Sequence, residues 1–170
     1  SRDETILFLA NCPHPPLRRL AAIAHAGRPW DVIVSPLDRL LEDSDPAVRR
    51  SALAALMVHP TSAGRETVLR LARDVDVTVS LEATRAMAHY PDTEIATRLA
   101  EQAKSPSALV RQGAVEAAGL LSQEAIVLEG AGDPQASVRV AAASSLAKLQ
   151  TPSALTALER LLSDDRASVV

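Results

Sequence analysis

Cysteine occurs once in these 170 residues, at Cys12, so no internal disulfide can form. A lone thiol is compatible with a reducing compartment. Aromatic residues number three: Phe8, Trp30 and Tyr90. β-Sandwiches and barrels draw on aromatic and β-branched strand residues, so this scarcity disfavours them. It also removes the stacking platforms that hold single-stranded nucleic acid. No apolar run nears the roughly 18 residues of a membrane-spanning helix; the longest is Ala52 to Val58. The opening Ser1-Arg2-Asp3-Glu4 is polar and acidic, unlike a secretory signal, and a cytoplasmic location is the default expectation. The chain starts without Met, which leaves room for a removed leader or a longer parent chain. Asn occurs once, and Lys twice against sixteen Arg, a bias typical of GC-rich bacterial coding. Neither end carries a charged tail, and the net charge is −3.

Motifs for chemistry are equally scarce. Neither His-Glu-x-x-His nor Cys-x-x-Cys occurs, and Gly64, Gly113, Gly119, Gly130 and Gly132 fit no phosphate-loop spacing. His25, His59 and His89 fall near the ends of successive helical patterns. Neighbouring helices sit about 10 Å apart, whereas zinc needs nitrogens near 2 Å from one ion, so the histidines are read as helix-end residues. Cys12 has no partner marking it as a nucleophile and is read as a turn residue. The expectation is no catalytic residue, no metal and no cofactor.

What is present is a 47% hydrophobic chain whose apolar content is Ala, Leu and Val, which excludes disorder. It is also periodic. From Val48, steps of 31 reach Val79 and Val110 and, backwards, Leu17; a step of 28 then reaches Val138 and one of 31 reaches Val169. Four residues after these anchors stand Ala21, Ala52, Ala83, Ala114 and Ala142. Seven after stand Ala24, Ala55, Ala86, Ala117 and Ser145. One after stand Arg18, Arg49, Ser80, Arg111 and Arg139; five before stand Cys12, Asp43, Asp74, Ser105, Asp133 and Asp164.

Each unit holds two helical patterns. Anchor, +4, +7, +8 and +11 form one face of a 3.6-residue helix, as in Val48, Ala52, Ala55, Leu56 and His59. A preceding helix carries Leu37, Leu40 and Leu41, then Val68, Leu71 and Ala72, then Leu158, Leu161 and Leu162. Asp or Ser followed by Pro, as in Asp45-Pro46, starts helices: the side-chain oxygen takes a free N–H, and Pro loses no bond at the first position. A single pair cannot bury both faces, whereas stacked pairs can. The units run 1–27, 28–59, 60–90, 91–121, 122–150 and an incomplete 151–170. The 28-residue step shortens the helix from Ser122 to about Gly130, where a local irregularity and a weak point are expected.

Asp43-x5-Arg49-x2-Ala52, Ser105-Pro106-x3-Val110-Arg111-x2-Ala114 and Asp133-Pro134-x3-Val138-Arg139-x2-Ala142 resemble the HEAT-like repeat, of the short type found in phycobilin lyases. The resemblance implies an all-α, right-handed α-α superhelix of five helix pairs plus one extra helix, one repeat domain over 1–170, with the second helices on the concave side. It also implies that Asp43, Arg49, Arg111, Asp133 and Arg139 form a structural ladder, the carboxylate capping the turn and the guanidinium linking neighbouring units. Ser80 and Cys12 depart from the pattern. The resemblance fixes no single activity.

On a helical wheel, offsets +2, +5, +6 and +9 point away from the buried stripe. They supply the candidate binding surface: Arg19, Arg50, Leu53, Met57, Leu81, Arg85, Gln112, Val115 and Glu116. An apolar groove rimmed by Arg suits a protein or peptide partner. An accessory enzyme module, holding a tetrapyrrole or a partner subunit as the lyase resemblance implies, is the alternative. Nucleic-acid binding through Arg18, Arg19, Arg49, Arg50 and Arg85 is a further one. It is disfavoured by Glu116, by the net charge, and by units four and five, which add little beyond Lys148. Trp30-Asp31 is the only aromatic-carboxylate pair that could serve a glycosylase-like groove, and it opens a first helix; Trp30 is expected to cover a seam. Val169-Val170 ends where a sixth second helix should begin, so a longer array or end-to-end self-association is expected. Small residues at +4 let helices approach closely. Ala83→Leu should therefore overpack the seam and cost about 1–3 kcal/mol in thermal denaturation; an unchanged midpoint would contradict the helix orientation.

Overall fold

The computed structural model describes residues 2–26 and 34–163, and side chains from 3–26 and 36–163. Among these, eleven α-helices follow one another without a strand: α1 (Arg2–Ala10), α2 (Pro15–His25), α3 (Val34–Leu40), α4 (Pro46–Leu56), α5 (Ser62–Leu71), α6 (Val77–Ala86), α7 (Thr93–Gln102), α8 (Ala108–Leu120), α9 (Glu124–Gly130), α10 (Ala136–Leu149) and α11 (Pro152–Leu162). A 3₁₀ turn, Met87–His89, extends α6. Five pairs and one extra helix are what the repeat predicts. Trp30, Asp31, Asp164, Val169 and Val170 lie outside the described residues.

Helix starts follow from the turn residues. Asp45 accepts from the amides of Ala47 (2.8 Å) and Val48 (3.3 Å), with Pro46 at the first helical position. Asp76 accepts from Thr78 (2.9 Å) and Val79 (3.2 Å) at the start of α6. Thr61, Asp92 and Thr151 cap α5, α7 and α11 through Gly64, Ile95 and Ala154. Each satisfies donors that a helix cannot satisfy itself.

The chain divides into two compact units, 1–83 and 84–170, with the boundary inside α6. In the first, α2 packs on α1 and α4, and α3 touches α1, α2 and α4. In the second, α8 packs on α7, α9 and α10, and α11 lies against α9 and α10. Each unit is thus layered: second helices adjoin second helices, and first helices adjoin first helices. The seams are small. Ala21, Ala52, Ala83, Ala114 and Ala142 are all fully buried, as are the anchors Val48, Val79 and Val138, with Val110 nearly so.

Two details of the expected stripes do not hold. His59 is exposed, because α4 stops at Leu56 and the +11 position falls beyond the packed turns. Leu162 is exposed and Leu158 only half-buried, since among the described residues α11 is covered on the side facing α9 and α10.

The 28-residue step appears as a shortened first helix, as the spacing predicts. α9 has 7 residues against 10 in α5 and α7. Gly130 is its last helical residue, buried at a close approach. A Cβ there would lie 2.6 Å from Val115 Cγ2 and 3.5 Å from the Ala142 Cβ. The missing side chain therefore lets the shortened helix settle onto α8 and α10. Alanine would gain up to about 1 kcal/mol of helix propensity, but Val115 is fully buried and stiff, and overpacking costs about 1–3 kcal/mol. Gly130→Ala should accordingly lower the thermal midpoint; a raised midpoint would show that the contact can relax.

Candidate functional site

The polar groups closest to the turns build a ladder. Arg18 grips the Asp43 carboxylate through two bonds, Nε to Oδ2 at 2.6 Å and Nη2 to Oδ1 at 2.8 Å. Arg49 holds Asp74 in the same way, at 2.8 and 2.6 Å, and Arg111 holds Asp133, at 2.7 and 2.9 Å. The remaining guanidinium nitrogen, Nη1, turns back to its own loop. It donates to the carbonyls of Cys12 and Pro13 from Arg18, of Asp43 and Ser44 from Arg49, and of Ser105 and Pro106 from Arg111. Arg139 repeats that half with Asp133 and Pro134, both at 3.0 Å.

The carboxylates are equally engaged. Asp43, Asp74 and Asp133 each accept the amide two residues on, at 2.8 to 2.9 Å. One Asp therefore folds its own turn and receives the arginine of the preceding unit. This fork-on-fork geometry is the strong form of an ion pair. Proximity in sequence does not set the pairing. Asp43 does not bind the Arg49 side chain six residues on but that of Arg18, 25 residues earlier; Arg49 meets only the Asp43 backbone. The 25-residue offset was readable in the repeat, but spacing alone does not say which carboxylate a guanidinium reaches. Ser80 and Ser105 occupy the Arg and Asp positions that this offset would pair. Each hydroxyl serves locally: Ser80 Oγ donates to the Ala72 carbonyl at 2.7 Å, and Ser105 Oγ accepts from the Ser107 amide.

The expected binding surface is narrower than the wheel suggested. Leu53 is only 2% exposed and Val115 is fully buried, and the equivalent Ala22 and Thr84 are buried too. A second helix packs against its own first helix and a neighbouring second helix, as α8 does, so its buried arc takes in the +5 position. Arg19 and Arg50 are exposed, and Met57 and Leu81 are half-buried. Arg85 is not an open cation: its Nε lies 2.6 Å from Glu116 Oε2, and Gln112 donates to the other Glu116 oxygen at 2.8 Å. That pair, 31 residues apart at equivalent positions, was not foreseen. Of the five arginines in the nucleic-acid reading, Arg18, Arg49 and Arg85 are thus held by carboxylates. His25 is buried and His59 and His89 are exposed, and no three metal-ligating side chains gather among the described residues. Cys12 is buried, with its carbonyl in the first rung.

Layered helix pairs joined by a recurrent turn define a helical-repeat protein. Residues 99–170 match the family model of HEAT repeats, and the same rungs and layers occur before that segment, in residues 12–83. Residues 99–170 are thus similar to HEAT repeats, and the chain as a whole is built of repeated helix pairs. No curated protein matches it. No described helix is long and apolar enough to cross a membrane.

The rungs set the acid response. The Arg111 hydrogen bond, joined by the Gln135 amide, outweighs burial and holds the Asp133 carboxyl below its usual range. Burial alone would raise Asp43, but the Arg18 hydrogen bond, the Asp45 amide and the nearby guanidinium charges together lower it. A carboxyl depressed in the fold binds protons more readily when unfolded. Its stabilisation is complete above the unfolded value of about 4 and fades as pH falls through the lower folded values. Urea midpoints should therefore be flat from neutrality to about pH 5 and drop below about pH 4. Asp43→Asn with Asp133→Asn should flatten that acid limb. At neutral pH, Asp133→Ala should cost about 2–3 kcal/mol, since it strands the Arg111 fork and the Gln135 amide; a loss below 0.5 kcal/mol would reduce the rung to ornament.

Proposed function

We propose that the chain is a non-catalytic module that binds a protein or peptide, or holds an assembly in shape, through exposed faces of its second helices. HEAT repeats commonly serve as protein-interaction scaffolds. The observation that carries the reading is a division of labour. The charged side chains at the turns are engaged within the ladder, whereas the second helices keep apolar side chains in water. Leu20 and Ile23 on α2, Leu109 and Leu120 on α8, and Val140 on α10 are all exposed. Large apolar residues left exposed on the second helices of each unit suit a partner surface better than bulk solvent.

The accessory-module alternative is a special case in which the bound protein is an enzyme subunit. Nucleic-acid binding has less support, because three of its five arginines already face carboxylates. A photo-crosslinking amino acid placed at Ile23 or at Val140 should give discrete protein adducts in cells of the source organism. The same probe at Glu66, exposed on the first helix α5, should not. Equal labelling from all three positions, or none from the second helices, would overturn the reading.

A further inference from the structure

Of the exposed second-helix surface, the α2–α4 part has a distinct electrical character. Neither helix contains an acidic residue. Each carries one exposed arginine at the same register, Arg19 and Arg50, and neither side chain has a partner among the described residues. The two helices pack directly on each other, so these equivalent positions stand about 8–10 Å apart. One turn further along lie Ile23 and Ala54, both exposed, with Leu20 beside them. Leu20 and Ile23 are 52% and 50% exposed. The cationic character stops there: α6 carries Glu82 where α2 has Leu20 and α4 has Ser51.

Resting on the proposed reading of the second-helix face, we infer that the α2–α4 surface takes an acidic peptide segment with apolar anchors one helical turn apart. The two guanidinium groups meet carboxylates on the peptide's flank. Its aliphatic side chains cover Leu20, Ile23 and Ala54. The surrounding chemistry selects against other occupants: a basic peptide would face two like charges, and a nucleic acid would find two free arginines on the face and no aromatic side chain on either helix.

Panning a displayed library of random 16-residue peptides against the full chain tests this. Enriched sequences should be net acidic with Leu, Ile or Val spaced three or four apart. Their affinity should fall about tenfold for Arg19→Glu with Arg50→Glu. Both residues are exposed and outside the ladder, so the variant should keep its circular dichroism; Arg19→Gln with Arg50→Gln serves if it does not, with a smaller fall expected in the same direction. Neutral or basic enriched sequences, or acidic ones that the variants retain unchanged, would overturn the inference while leaving the broader binding reading standing. A 20-base-pair DNA duplex binding as tightly as the peptides would overturn it in favour of a phosphate site. No enrichment at all would count against both.

Discussion

The structure depends on one guanidinium doing two things at once. Two of its nitrogens fork onto the carboxylate of the next unit, and the third ties down the carbonyls of its own turn. A loop between two helices has carbonyls and amides with no helical partner. The rung supplies both kinds of partner within a partly buried seam, where water is scarce. It also converts a local turn into a link between units. Hydrophobic burial of Ala, Val and Leu is nonspecific in register, since one small apolar residue resembles another. The bidentate rung is directional, and it fixes which turn of one helix pair faces which turn of the next.

Much of this was legible in the sequence, for a physical reason. A repeat samples the same environment several times, so the buried Ala at +4 and the anchor Val stand out by recurrence, and the helix pairs follow from their period. Recurrence identifies positions but not partners. Asp43 and Arg49 lie close in sequence and so suggest a pair, yet the turn aims their side chains at different neighbours. The candidate surface was harder still. A helical wheel treats a helix as having one buried face, whereas a second helix here packs against its own first helix and an adjoining second helix, which hides Leu53 and Val115. The Arg85–Glu116 pair occurs once, so no recurrence announced it.

The scarcity of aromatic residues acquires a sense from the same geometry. Layers of paired helices leave thin seams, and Gly130 sits at one of the tight points: even a methyl group would collide with Val115. Small residues suffice to fill such spaces. On α2 and α4 the residues left exposed are aliphatic groups and the two arginines Arg19 and Arg50. The described residues concentrate their charge chemistry in holding the turns, which is why the reading of function rests on what the second helices leave uncovered.

The shortened α9 separates the parts of the unit that can change length from those that cannot. Arg111 and Asp133 are 22 residues apart where the other rungs span 25, yet they meet through the same two hydrogen bonds. The span between the partners is shorter by three residues, close to one helical turn, and both ends of the rung are kept. The six-residue interval from the turn position to the arginine, by contrast, is the same from Cys12 to Arg18, Asp43 to Arg49, Ser105 to Arg111 and Asp133 to Arg139. The first helix α9 is therefore the segment that takes up the difference in length between the rungs. The six-residue stretch is the inelastic joint, where a single inserted residue would rotate the arginine away from both its loop and its carboxylate.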